Sequence, residues 1–265
     1  MSPTTQMNGS SSNNGSAAIL TENDELFINQ GIFFFYESIA ILCCCFVVGL
    51  LPWCFKKQNT ETILLFNGVF KSFGIGSLAS ASIITFIRIT VTQNPSSLGV
   101  LFMISGFTLM LTLNQLIDND GAMLLLENIC YGLILACVNW TESNETRFII
   151  FVGIFCYQVP YSFYISAKIM NRVDLQNWSN LIMVLGAPVA TSSGFITLGL
   201  LEGLKNGHEE ILMVGIGVFL FQTLCKVLPE NLKIDKNFEN IILKAIQLIS
   251  LSGGVLLPVA IKFVI

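Results

Sequence analysis

Residues 63–87 read ILLFNGVFKSFGIGSLASASIITFI, and this stretch decides the fold class because Lys71 is its single charged residue. A helix needs about 20 predominantly apolar residues to cross a bilayer, and this stretch exceeds that length. The whole chain is similar in composition: 53% of its 265 residues are hydrophobic and 11% are charged, whereas a soluble domain has about 25% charged residues. The composition therefore excludes a water-soluble globule and predicts a membrane protein.

Hydropathy along the chain predicts an all-α, polytopic membrane bundle of eight transmembrane helices. Backbone polar groups in hydrocarbon must find their partners within the segment, so each span is expected to be a helix. We expect residues 29–265 to form this transmembrane domain, and residues 1–28, rich in Ser, Asn and Gly, to form a flexible extracytosolic tail. The predicted spans are about 32–54, 63–87, 98–116, 122–138, 148–167, 180–201, 211–228 and 241–264.

The positions of the basic residues predict that both termini lie outside the cytosol. Cytosolic loops usually carry the excess of Lys and Arg, and this orientation puts eight basic residues inside and four outside. Of five Asn-x-Ser/Thr sequons, Asn177 falls inside, and four fall outside as candidate glycosylation sites: Asn8, Asn14, Asn139 and Asn144. This pattern is typical of a multi-pass glycoprotein in the plasma membrane or an internal secretory-pathway membrane.

Small residues recur at a spacing of four in two of the predicted spans. In lipid, such a stripe lets two helix backbones approach closely. We therefore expect the second and sixth spans to be central in the bundle. The stripes are Gly68, Ser72, Gly76 and Ser80 in the second span, and Gly186, Ala190 and Gly194 in the sixth.

Polar side chains at membrane depth are costly, so each one is a candidate functional residue. The ionisable ones are Glu37, Lys71 and Glu127. In the fourth span, Asn128 adjoins Glu127, and Tyr131 shares the face of Glu127 because it lies four residues further on.

The fifth span carries a second polar cluster, with Tyr157 and Tyr161 on one face and Gln158 nearby. Pro160 lies among them, and it predicts a kink because it leaves the carbonyl of Cys156 without its helical donor. A kinked helix that faces a carboxylate and an amide is one way to build a polar cavity. A structural cluster that locks two helices together is an equal alternative from these residue types alone.

The two clusters resemble the metal-binding motifs of the ZIP family of divalent-metal transporters. Residues 127–132, ENICYG, are similar to the family's His-Asn-x-x-Asp-Gly, and residues 157–161, YQVPY, are similar to its His-Glu-x-Pro-His. Residues 64–77, LLFNGVFKSFGIGS, resemble the second helix of the family. Ala187-Pro188 resembles the Glu-Pro of its sixth helix, and residues 227–230, VLPE, resemble the end of its seventh helix. The resemblance implies eight spans and transport of zinc or another divalent cation toward the cytosol.

This sequence departs from the family at every motif histidine. The resemblance places the transport site at Glu127, Asn128, Tyr131, Tyr157, Gln158 and Tyr161, with Glu127 and Asn128 as a weak metal site. Tyrosine phenols are uncharged near neutral pH, so a desolvated dication would meet about one formal charge. We expect Lys71, if the second helix faces the site, to pair with Glu127 in place of a metal, and the alternative is a Lys71 that extends to one interface.

The replaced histidines leave two further hypotheses beside a metal transporter. One is a transport-incompetent scaffold or regulator of an active relative, and the other is a carrier of a different polar solute. We find no catalytic motif and predict that the chain is not an enzyme. The expected partners are the lipid bilayer, a divalent cation as cargo, and a second copy or an active relative; no cofactor and no nucleic acid is expected.

Overall fold

The computed structural model describes residues 36–52, 60–92, 97–117, 120–139, 144–171, 189, 191, 207–229 and 241–264. Within these ranges every regular element is a helix, and no strand occurs there. The helices are α1 (Tyr36–Pro52), α2 (Thr60–Thr92), α3 (Ser97–Leu116), α4 (Asp120–Asn139), α5 (Asn144–Asn171), α6 (His208–Leu220), which continues as a π-helix over Phe221–Val227, and α7 (Ile241–Val264).

Among the helices of the described ranges, four are long and apolar enough to cross a membrane. Their apolar segments are Gly68–Val91, Leu98–Leu116, His208–Val227 and Lys244–Val264. Two shorter apolar segments, Tyr36–Pro52 and Leu125–Val138, lie in α1 and α4. The all-helical class is therefore confirmed and is compatible with an integral membrane protein, whereas the count of eight spans and the outward termini stay predictions.

The observed helices coincide with seven of the eight predicted spans, at 36–52, 60–92, 97–116, 120–139, 144–171, 208–227 and 241–264. The sixth predicted span, 180–201, lies outside the described residues except for 189 and 191. The predicted tail 1–28 also lies outside them, as do Asn8, Asn14, Asn177, and the small-residue stripe of the sixth span.

The prediction that the second span is central is confirmed, since α2 packs against α5, α6 and α7. The reason is its small residues: a Cβ added to Gly76 would overlap the carbonyl oxygen of Leu251 in α7, and one on Gly254 of α7 would overlap that of Phe73 in α2. On the other side, a Cβ on Gly74 would lie 2.5 Å from the carbonyl oxygen of Cys156 in α5. The backbone of α2 thus touches two neighbouring backbones directly.

A second backbone contact joins α3 to α6. A Cβ on Gly106 would overlap the carbonyl oxygen of Val214, and one on Gly217 would overlap that of Met103. Helix α4 packs on the same α6, where Gly215 leaves room for the Ile134 side chain. The closest backbone contacts therefore lie within two groups of helices, α2 with α5 and α7, and α3 with α6, on which α4 packs.

The outer faces of the bundle are apolar. Most of Leu98–Leu116 and of Lys244–Val264 is exposed, with large side chains such as Leu101, Leu109 and Ile249 on the surface. Exposed apolar faces of this extent suit contact with lipid tails. Buried polar residues lie along α2 and on the facing sides of α4, α5 and the π-helix, where Glu127, Asn128, Gln158 and Gln222 are found.

Candidate functional site

Helix α4 places its polar motif inside the bundle. Glu127 is 1% exposed, and Asn128 and Tyr131 are also buried. Glu127 and Tyr131 lie one turn apart and share a face, as the sequence predicts. The Tyr131 ring contacts two other rings, that of Tyr157 edge-on at 5.8 Å between centroids and that of Phe219 at 5.3 Å.

The carboxylate of Glu127 forms an ion pair with Lys226. The Lys226 Nζ donates to Glu127 Oε1, and the Lys226 side chain is 19% exposed while that of Glu127 is 1% exposed. A buried carboxylate needs such a counter-charge, because an uncompensated buried charge costs several kcal/mol. Lys226 is one of the eight basic residues that the predicted orientation puts inside, and it was not among the predicted site residues. Two features of the sequence could have indicated Lys226 as a site residue. It lies two residues before the predicted end of the seventh span, and it directly precedes the VLPE motif.

Lys226 lies on the π-helix Phe221–Val227. The wider turn is visible in the backbone, where the N–H of Leu228 donates to the carbonyl of Thr223, five residues earlier. The Thr223 hydroxyl donates to the carbonyl of Phe219 at 2.8 Å. A π turn contains one residue more per hydrogen-bonded ring than an α turn, so it rotates the residues that follow about the helix axis. Lys226 lies near the end of the π-helix, and the rotation of this turn directs its side chain to Glu127.

An amide and hydroxyl cluster joins α4 to α5. Gln158 Nε2 donates to Asn128 Oδ1 at 3.0 Å and to Thr191 Oγ1 at 2.9 Å, and the Thr191 hydroxyl donates to the same Asn128 Oδ1 at 3.1 Å. All three side chains are buried. The two hydrogens of the Gln158 amide and the two acceptor positions on Asn128 Oδ1 are thereby used. Within the described residues, Gln158 Oε1 has no hydrogen-bond partner. Thr191 was missed because it lies among small and apolar residues with no spacing that marks it.

Helix α5 carries a row of aromatic rings beside this cluster. Tyr157 stacks on Tyr161 at 5.3 Å between ring centroids, and Tyr161 on Tyr164 at 6.0 Å. The ammonium of Lys71 lies 4.0 Å from the Tyr164 ring centroid and 6.0 Å from that of Tyr161. Lys71 is 4% exposed, so it is buried against α5 and does not extend to the surface of the bundle. The pairing of Lys71 with Glu127 stays a prediction.

Pro160 lies inside α5, which continues as a helix to Asn171. Proline has no N–H, so the carbonyl of Cys156 lacks its donor four residues on. That carbonyl is the group against which Gly74 of α2 packs. The Ser162 hydroxyl donates to the carbonyl of Gln158 at 2.9 Å, so this carbonyl, two residues after that of Cys156, has a side-chain donor.

Two ion pairs tie the start of α5 to other helices, away from this cluster. Arg147 donates through Nε and Nη2 to Glu37 Oε1, both at 3.2 Å. Arg88 Nη1 lies 2.6 Å from Glu145 Oε2. Arg147 precedes Gln158 by 11 residues in α5, or roughly 16 Å along the helix. Glu37 is therefore a structural partner of α5 that lies away from the polar cluster. The predicted glycosylation site Asn144 is exposed at the first residue of α5.

The donor chemistry of the site is oxygen and amide rather than imidazole. Among the described residues, no group of three or more His, Cys, Asp or Glu side chains is placed to hold a metal ion. No protein-family model matches the sequence, and a search among curated proteins finds no match. The ZIP resemblance therefore rests on the motifs themselves.

Proposed function

We propose that the chain is a ZIP-like membrane transporter that moves zinc or another divalent cation toward the cytosol. One observation carries the proposal. Asn128 and Gln158 stand at positions that match the ZIP ligand motifs, and they are hydrogen-bonded to each other inside the bundle, beside Glu127. Polar groups that converge between apolar helices are typical of a transport site.

The donor set indicates which cations to test. Glu127 supplies one carboxylate, and Gln158 supplies an amide oxygen that has no hydrogen-bond partner among the described residues. Asn128 Oδ1 can join them once the hydrogen bonds from Gln158 and Thr191 are released. Carboxylate and carbonyl oxygens suit the harder cations such as Mn²⁺ and Mg²⁺, whereas zinc sites favour His and Cys. We therefore expect weak zinc transport and include Mn²⁺ as a second cargo.

A second candidate is favoured by the ion pair between Lys226 and Glu127. The paired carboxylate and ammonium together carry no net charge, which disfavours a dication. A site of this kind suits a carrier of a neutral solute with hydrogen-bonding groups. It also suits a chain that regulates an active relative and does not itself transport.

Uptake into vesicles separates the two candidates. The purified protein is reconstituted, and entry of radiolabelled zinc and manganese is measured for the wild type and for Glu127→Ala. Glu210→Ala serves as the matched control, because Glu210 is exposed at the start of α6. Saturable uptake that Glu127→Ala abolishes and Glu210→Ala keeps supports a cation transporter. Uptake no greater than in empty vesicles, with folded protein, favours the second candidate.

A further inference from the structure

The ammonium of Lys226 occupies the one carboxylate that the proposed site offers to a cation. Glu127 Oε1 accepts from Lys226 Nζ, and the carboxylate is almost fully enclosed. A lysine ammonium and a divalent cation compete for this oxygen, because two positive charges at the same carboxylate repel each other. Cation binding at Glu127 therefore requires the ammonium to move.

Lys226 is placed so that it can move. Its side chain is a flexible four-carbon stem, 19% exposed, whereas its partner is 1% exposed. It lies at the end of the π-helix, and π-turns are frequent at functional sites. Exposure on one side gives the ammonium a route away from the carboxylate that Glu127 does not have.

Gln222 provides a second polar group near Lys226. It is fully buried, and within the described part of the chain neither of its amide atoms has a hydrogen-bond partner. Gln222 and Lys226 lie four residues apart in the π-helix Phe221–Val227, about one turn of that helix. Buried amides without partners are costly. The carbonyl oxygen of this amide can accept a hydrogen bond from the ammonium as it moves from Glu127 toward its exposed side.

We propose that Lys226 is a tethered internal cation that neutralises Glu127 when the site is empty and is displaced when a divalent cation binds. The identity of that cation rests on the proposed function. Lys226 then lowers the affinity for cargo, and it keeps the buried Glu127 carboxylate paired with a positive charge while the site is empty.

Binding to the purified protein tests this directly. Zn²⁺ and Mn²⁺ are titrated calorimetrically into the wild type, Lys226→Met and Lys226→Arg, with Lys244→Met as control because Lys244 is exposed on α7. Lys226→Met is expected to lower the Kd at least about tenfold, which corresponds to ~1.4 kcal/mol. Lys226→Arg keeps a competing cation and is expected to stay near the wild type. Equal or weaker binding by folded Lys226→Met overturns the proposal.

A second measurement needs no substitution. Lysine amines of the wild-type protein are labelled chemically with and without saturating Zn²⁺ or Mn²⁺, and each site is quantified by mass spectrometry. Displacement from Glu127 is expected to raise the labelling rate of Lys226 severalfold and to leave that of Lys244 unchanged. An unchanged rate at Lys226 under saturating cation overturns the proposal, even where Lys226→Met fails to fold.

The two proposals fail in different ways. Tighter binding by Lys226→Met with no uptake by any variant refutes transport and keeps the internal cation. Uptake by the wild type, with the same affinity in Lys226→Met and unchanged labelling, refutes the internal cation and keeps transport. Absence of divalent-cation binding in every variant refutes the internal cation.

Discussion

Replacing Lys226 by Met is expected to destabilise the protein more than replacing Glu127 by Gln. Lys226→Met leaves a carboxylate that is 1% exposed, whereas Glu127→Gln leaves an ammonium that is 19% exposed on a flexible stem. Breaking a buried pair by removing one partner costs about 3–5 kcal/mol. We assign this range to Lys226→Met, and roughly half of it to Glu127→Gln because the remaining ammonium can extend toward solvent.

The double variant decides whether the two residues act as a pair. Glu127→Gln with Lys226→Met buries no charge, so its loss is expected to be about 1 kcal/mol, well below the sum of the single losses. For a chain of this size, 1 kcal/mol corresponds to roughly 2–4 °C in Tm. Lys226→Met is therefore expected to lower Tm by roughly 6–20 °C, and the double variant by a few degrees.

The assay is thermal unfolding in detergent at one fixed scan rate, followed by the loss of helical circular dichroism. The fixed rate matters because membrane proteins often unfold irreversibly. Lys244→Met, which removes an exposed lysine from α7, is expected to change Tm little. Additive losses in the double variant would refute the pairing. Combining Glu127→Gln with Lys71→Met tests the pairing inferred from the sequence, and a coupling as large as that of Lys226 would show that both lysines share the carboxylate.

Three further outcomes follow from the packing. Gly76→Ala is expected to cost several kcal/mol because its Cβ would meet the backbone of α7, whereas Gly253→Ala is expected to be tolerated, since its Cβ would lie 3.8 Å from the nearest ring atom; equal Tm losses would contradict this. Gln158→Leu removes two donated hydrogen bonds and is expected to cost about 1–2 kcal/mol in the same unfolding assay, while Asn114→Leu on the exposed face of α3 is expected to be neutral. Glu37→Gln breaks an ion pair whose side chains are 14% and 15% exposed, so a loss of roughly 1–2 kcal/mol is expected, smaller than that of Lys226→Met.

The positions of the helices were predictable because apolar length is a local property of the sequence. The central place of α2 was predictable as well, since the spacing of Gly68 and Gly76 puts both on one face, and that face packs on α7. The approach of the fourth and fifth spans was expected from their polar clusters, and the resemblance added only the match of these clusters to ligand motifs.

The partner of Glu127 was not predictable in the same way. A lysine near the end of a span ordinarily extends to the membrane interface, and only the π turn of α6 gives Lys226 the register in which it meets α4. A π turn has no hydrophobic period that marks it in a sequence. Thr191 depends likewise on a contact between elements far apart in the chain.

The glycine contacts have a mechanical consequence. Where backbone lies on backbone, as between α2 and α7 or between α3 and α6, no rotamer change can loosen the fit, so we expect each of the two groups of helices to be stiff and to shift as one set. The hydrogen bond between Asn128 and Gln158 runs from one set to the other, and hydrogen bonds can be exchanged for bonds to water without repacking. Stress applied to the bundle is therefore expected to open it along this polar seam, next to the Glu127 carboxylate, before any glycine contact gives way.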